Sequence, residues 1–421
     1  MSQWMGDVTA RSQPATTSRT WTWWRIAVLV LAGFIAVAGV RAITGEHALT
    51  SSGTIRALIQ GAVPIALCAL GGLYAERAGI INIGLEGMMI VGTWTAAYAT
   101  VVTGSPWLGL VGGVVGGMLG GLLHAVATVT FGVDHIVSGV AINILALSAM
   151  RYLAIQFFLD MEGGGAGQSP QLPGFPRITI PGVDLILGPV EATRWFLVSD
   201  FAALVIGLTT SMSVVTLLAI LLLPGSFFLL WRTSFGLRLR SIGENPDAAE
   251  SLGVPVYTYK YIALLISGGM AGLGGVFLAM VAASGYQEGQ TGGRGYIGLA
   301  AMIFGNWRPT GIAMGAGLFG YTEALADRGA GETVNALLLV IGIALLAVAV
   351  FQVRRGKPVA AAVAVLVAAG ALTWFFTSDT VPQQLVTSTP YIATMLVLAL
   401  AAQHLRPPAR VGRPWRREKS S

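Results

Sequence analysis

Long apolar runs alternate with short polar breaks from residue 21 to residue 405. They fall at about 21–40, 55–74, 84–103, 107–130, 136–159, 201–231, 259–283, 333–353, 358–376 and 389–405. A broken pair lies at about 295–304 and 310–327. A helix of roughly 20 apolar residues crosses a bilayer. The pattern therefore predicts an all-α polytopic membrane protein of about ten spans plus a broken or re-entrant helix pair. The middle of that pair reads FGNWRPTG. Its proline and glycines free backbone groups, which inside a membrane must face protein or water.

Composition agrees with the pattern. Of 421 residues, 54% are hydrophobic and 10% charged, against about a quarter charged in soluble domains. The net charge of +6 does not imply a nucleic-acid polymer as partner, because arginines gather at the predicted cytoplasmic ends, as positive-inside orientation requires. Arg11, Arg19 and Arg25 put the N-terminus inside; Arg232, Arg238 and Arg240 do so for the loop after the sixth run, and Arg406 to Lys419 for the tail. Parity closes if the 295–327 pair enters and leaves on one side. The chain divides into an N-terminal cytoplasmic tail (1–20), a transmembrane region (21–405) and a basic cytoplasmic tail (406–421). Within the middle region, 160–200 reads as an extracytoplasmic loop with short surface helices, and 232–258 as a cytoplasmic loop. The polar opening of the chain, followed by a full-length run without a cleavage site, does not read as a cleavable signal peptide.

One cysteine, Cys68, and four scattered histidines exclude a disulfide framework and speak against a metal site. No G-x-x-x-x-G-K-[ST] phosphate loop occurs, and none of the three lysines follows suitable glycines. ATP-driven work would therefore use a site on another chain. Two glycine stripes, Gly112/Gly116/Gly120 and Gly113/Gly117/Gly121, allow close backbone approach between helices. A faint echo links GLEGM (84–88), leading to Gly92 and Trp94, with GYIGL (295–299), leading to Gly305 and Trp307. Two such halves with interrupted helices fit a transporter, although chance in a glycine-rich chain produces the same echo.

The charged loop carries helix start and stop signals. Asn245 can cap free N–H groups, Pro246 suits the first helical position, and Asp247 and Glu250 place negative charge at the positive dipole end. Gly253 suits the left-handed position after the last turn. These predict a helix from Pro246 to Leu252, roughly 10 Å long, with Ala248, Ala249 and Leu252 forming an exposed surface for a partner's groove. A plain surface turn is the other reading.

Polar groups at membrane depth are costly and commonly functional. Asn82, Glu86, Asn143, Asn306 and Trp307 are the candidates for a solute path. Glu86 needs a cavity or a partner such as Arg77; Asn143 could bind a hydroxyl or another helix; Trp307 could stack on a base or anchor an interface. Tyr286 and Gln287 are expected to face outside.

Three blocks resemble one family. FGLRLRSIGENPDAAESLGV (235–254) is similar to the cytoplasmic coupling loop of ABC-importer permeases of the ribose and branched-chain amino acid superfamily. GGLYAERAGIINIGLEGMMIVG (71–92) resembles the nucleoside branch, and GRGYIGLAAMIFGNWRPTG (293–311) is similar to a second block of those permeases. The tail ARVGRPWRRE also resembles theirs. The resemblance implies an importer fold of the larger-span type and half of a heterodimeric pore, with a sister permease, a cytoplasmic ABC ATPase, an extracytoplasmic solute-binding lipoprotein and membrane lipid as partners. It implies that this chain binds no cofactor, with ATP and Mg on the ATPase, and that Glu244, Asn245, Pro246, Asp247, Ala248, Ala249 and Gly253 form the coupling element. The implied activity is nucleoside import across the cell (inner or plasma) membrane. A ribose or other simple-sugar permease is the near alternative, and an autonomous secondary transporter a distant one. The chain departs from the family at 333–380, where two additional runs intervene; peripheral packing is expected of them.

Overall fold

The computed structural model describes residues 23–328, 330–386, 388, 389 and 405–415. The predicted tail 1–20 and nearly all of the run at 389–405 lie outside the described residues. Fifteen helices are described: α1 (Trp23–Thr44), α2 (Ser52–Arg77), α3 (Leu85–Thr103), α4 (Pro106–Ala125), α5 (His135–Phe158), α6 (Val183–Ala192), α7 (Val198–Thr209), α8 (Val214–Arg232), α9 (Ser234–Glu244), α10 (Pro246–Ser251), α11 (Val256–Phe277), α12 (Arg294–Phe304), α13 (Pro309–Arg328), α14 (Ala330–Arg354) and α15 (Pro358–Thr377). Single π-helical stretches prolong α4 to Thr130 and α11 to Ala282.

Seven of these helices are long and apolar enough to cross a membrane: α2, α4, α5, α8, α11, α14 and α15. This is fewer than the expected ten. The helices α1 and α3 form but are not among the seven, and nearly all of the last run lies outside the described residues. The run at 201–231 is not one span. It breaks between α7 and α8 because Met212 and Ser213 pair with Ile178 and Arg177 as a two-residue antiparallel ladder, and Ser213 caps α8 by accepting from the Val215 N–H. The 160–200 segment is thereby tied to the bundle, and it contains α6 as a surface helix without buried residues.

The helix α2 is the central post, buried almost throughout from Gly61 to Glu76. It packs against α3, α7, α8, α11, α12 and α13. The glycine stripes of α4 meet two neighbours. A Cβ on Gly117 or Gly121 would strike the α11 backbone at Gly268 or Leu264, and one on Gly112 would come within 2.8 Å of Ala99 of α3. Small residues thus let three backbones lie in direct contact, the arrangement favoured where lipid offers no hydrophobic drive between helices. The α14–α15 hairpin turns through Gly356 at φ +69° and packs on α1 and α13 mainly through α14, with Leu372 and Phe375 of α15 joining the same apolar cluster.

Candidate functional site

Two helices begin inside the bundle, at the same place. After α2 ends at Arg77, residues 78–84 run as turn and irregular chain before α3 starts. After α11, residues 284–293 lead back to the start of α12. Gly295 lies so close to Glu86 that a Cβ would meet its backbone at 2.6 Å. The short helix α12 then runs alongside α2: Gly298 abuts Cys68 and Gly72 abuts Met302.

The polar candidates Asn82, Glu86 and Asn143 converge here. Glu86 takes no ion pair with Arg77. Its carboxylate accepts from the Gly293 N–H at 3.0 Å and the Gly295 N–H at 2.7 Å, satisfying the free donors of the α12 start. Asn143 of α5 accepts from the Gly87 N–H at 2.7 Å and donates to the Ile83 carbonyl (3.0 Å) and the Tyr296 hydroxyl (2.9 Å). Asn82, 0% exposed, donates to the Ser267 hydroxyl at 2.9 Å. Arg294 pairs with Glu323 of α13. Asn82 Oδ1 and both amide atoms of Gln290 are buried with no hydrogen-bond partner. The cluster therefore offers donors and acceptors, Arg294 Nε among them, while the Glu86 carboxylate and one arm of the Arg294 guanidinium are already engaged. Tyr296, Ser267, Gln290, Arg294 and Glu323 escaped the sequence reading because each is polar only at one spot of an ordinary apolar or loop segment. Nothing local marks them as neighbours of α3.

Asn306 and Trp307 do sit at the break between α12 and α13, both at positive φ (52° and 53°). They are remote from that cluster. Trp307 donates its indole N–H to Glu76 at 2.6 Å, and its carbonyl accepts from Arg77 at 2.7 Å. Arg77 also lies over Trp231 of α8. Asn306 accepts from the Arg406 N–H at 2.9 Å.

At the same end of the bundle, the helix predicted after Asn245 is present as α10, with α9 before it inside the segment expected as a cytoplasmic loop. Thr233 caps α9. Asn245 caps α10, accepting from the Ala248 N–H at 3.2 Å, and Gly253 takes φ +81°. The expected surface needs one correction. Ala249 is 3% exposed and packs with Ile242 and Val256, because the helix must bury one face to hold its angle. Ala248 stays exposed and Leu252 is 85% exposed. Glu244 accepts from the Ala409 N–H at 3.3 Å, and Asp247 from the Trp415 indole at 2.6 Å. Pro246 is buried at the helix start.

At the other end of α2, roughly 39 Å away by helical rise, Arg41 pairs with Asp200 at 2.9 Å. A cavity of about 120 Å³ opens there, lined by His47, Glu191 and Arg194 among others. Near this end Tyr286 does not face out. It is 3% exposed, its ring against Phe158, and burial followed by the Glu288 charge pushes its phenol up to about 12. Gln287 is exposed and bridges to Gln168.

Comparison with known proteins settles the class. The family described as branched-chain amino acid transport system / permease component matches residues 54–349. The chain belongs to this permease family. The permease is 38% identical over 65% of its length to the guanosine ABC transporter permease protein NupQ of Bacillus subtilis, covering 81% of that protein. It is 34% identical over 62% of its length to the nucleoside ABC transporter permease protein NupC of Lactococcus lactis, covering 78%. It is also 26% identical over 62% of its length to NupP, a second guanosine permease protein of B. subtilis, covering 70%. No solved structure matches. The permease is thus a multi-pass membrane transport subunit; the match takes in most of α14, so of the two runs expected to depart from the family only α15 lies beyond the matched region.

Proposed function

We propose that this chain forms half of the membrane pore of an ATP-driven nucleoside importer, paired with a sister permease. The observation that carries this reading is the polar cluster where α3 and α12 begin. The Glu86 carboxylate is consumed by the Gly293 and Gly295 N–H groups, and the charge of Arg294 is paired with Glu323, its Nε alone lacking a partner among the described residues. What is left is amide and hydroxyl capacity on Asn82, Gln290 and Tyr296, which suits an uncharged solute bearing hydroxyls and ring nitrogens. Relatives that bear nucleoside names favour nucleosides over simple sugars, and the existence of NupQ and NupP in one organism supports a sister chain. The exposed face of α10, Ala248 and Leu252, would meet a separate ATPase that holds ATP and Mg, with both termini on that side. Closure of the ATPase would move α10 rigidly and tilt α9 and α11 with it. A lipid-anchored binding protein would deliver solute at the opposite end.

The test is uptake of labelled guanosine and labelled ribose by cells lacking the chain. Guanosine uptake is expected to vanish, to return with the wild-type chain, and to stay absent with Ala248→Arg although that variant reaches the membrane. Loss of ribose uptake alone would overturn the solute, and normal uptake by Ala248→Arg would overturn the coupling surface.

A further inference from the structure

The segment Arg406–Trp415 crosses the coupling end of the bundle as a strap, and it touches every part that a coupled movement must reach. At its start the Arg406 N–H donates to Asn306, in the turn between α12 and α13, at 2.9 Å. The Arg410 N–H donates to the Gly243 carbonyl at the end of α9 at 2.9 Å, and the Gly412 N–H to the Gly79 carbonyl at 3.1 Å, in the turn that leads to α3. Gly79 and Gly243 themselves approach closely: a Cβ on Gly243 would collide with the Arg77 carbonyl. At its end Trp415 donates to Asp247 of α10 at 2.6 Å, with Lys260 of α11 5.7 Å from its ring centroid and Tyr257 ring to ring at 5.2 Å. Arg410 adds a 3.5 Å ion pair to the same Asp247 carboxylate.

These contacts have a mechanical consequence. The helix α10 packs on its sequence neighbours α9 and α11, whereas the two helices that begin at the polar cluster, α3 and α12, are reached from it through other elements. Four backbone or side-chain hydrogen bonds of the strap close that gap. Three of them use backbone N–H groups, which fix position without depending on side-chain rotamers. We propose that Arg406–Trp415 is the transmission strap of the permease: it carries displacement of α10 to the 78–84 turn and to the 305–308 turn, and Trp415 on Asp247 is the pin that engages it. Trp415 is a positioning residue, since it acts through Asp247. The inference rests on the importer reading above.

The test uses the whole transporter in inverted and right-side-out membrane vesicles, with wild type, Trp415→Phe and Ala248→Arg compared for guanosine uptake and for guanosine-stimulated ATP hydrolysis. Trp415→Phe keeps the ring beside Lys260 and Tyr257 but loses the N–H to Asp247. ATP hydrolysis is expected to persist while guanosine moved per ATP falls about five-fold, the effect of losing one solvent-exposed hydrogen bond. An unchanged ratio overturns the strap. So does a fall of uptake and hydrolysis in proportion, which would mark the segment as ATPase-docking surface, as expected for Ala248→Arg. A wild-type transporter that moves no guanosine overturns the importer reading and the strap with it. As a second measurement independent of transport, exchange of the Arg410 and Gly412 amides, which donate to the Gly243 and Gly79 carbonyls, is expected to rise in the purified chain carrying Trp415→Phe; no change there overturns the pin.

Discussion

The carboxylate of Glu86 lies across the start of α12, with Oε2 accepting the Gly295 N–H at 2.7 Å. The second oxygen takes the Gly293 N–H, so one side chain of α3 satisfies two donors of another interrupted helix. Glu86→Gln puts an NH2 group against one of those N–H groups. A buried donor left without an acceptor costs about 1–3 kcal/mol. Glu86→Gln is expected to lower stability by about that amount, read as a lower midpoint of thermal unfolding in detergent. An unchanged midpoint would mean that Glu86 does not hold α12.

The packing of α3, α4 and α11 makes a sharper prediction through two glycines. A Cβ on Gly92 would lie 2.6 Å from the Gly272 Cα, whereas one on Gly274 would sit at an ordinary 3.4 Å from the Pro64 carbonyl. Gly92→Ala is expected to destabilise by about 2 kcal/mol or more, since neither backbone can yield. Gly274→Ala is expected to be neutral or to stabilise by up to about 1 kcal/mol, because alanine loses less backbone entropy in a helix. Equal thermal shifts for the two variants would contradict the contact.

Trp307 and Glu76 form the corresponding joint at the coupling end, with both side chains buried. Trp307→Phe removes the donor and leaves the Glu76 carboxyl alone in an apolar site. A loss of about 1–3 kcal/mol is expected. Adding Glu76→Leu to that variant is expected to recover part of it, because removing both partners of a buried polar pair costs less than removing one. A double variant weaker than Trp307→Phe would show that Glu76 has another essential partner.

What the sequence made legible was local. The caps of α10 could be read because Asn245, Pro246 and Gly253 act within a few residues of themselves. The glycine stripe of α4 could be read because helical period alone places Gly113, Gly117 and Gly121 on one face. The break at 210–213 was hidden inside a long apolar run, though Thr210, Ser211 and Ser213 carried a weak polar signal; what ends α7 is a pairing with Arg177 and Ile178, far away in the chain. The neighbours of Glu86 were invisible for the same reason, since Gly293 and Gly295 meet it only across the fold. The surface of α10 was half legible: the residues were right, but which alanine turns inward depends on Ile242 and Val256. The tail reads as a basic run, and its hold on Asn306, Gly79 and Asp247 follows from no pattern in it.

The α14–α15 hairpin gives the last prediction. Ala361, Ala364 and Ala368 form the buried face of α15, and α15 packs on α14, where Leu372 lies against Gly342. The opposite face exposes Val359, Val363, Leu366 and Phe376, as a helix in contact with lipid would. Neither α14 nor α15 supplies a residue to the polar cluster or to the coupling end, among the described residues. Ala368→Leu inserts three carbons into a closed helix pair, an overpacking change that costs about 1–3 kcal/mol. That cost falls on the hairpin, since α2 is buried by other helices. Protease cleavage near Gly356 is expected to quicken in the variant, while guanosine uptake stays within about two-fold of wild type. A collapse of uptake with the chain still in the membrane would instead make the hairpin part of the moving core, contrary to its peripheral packing.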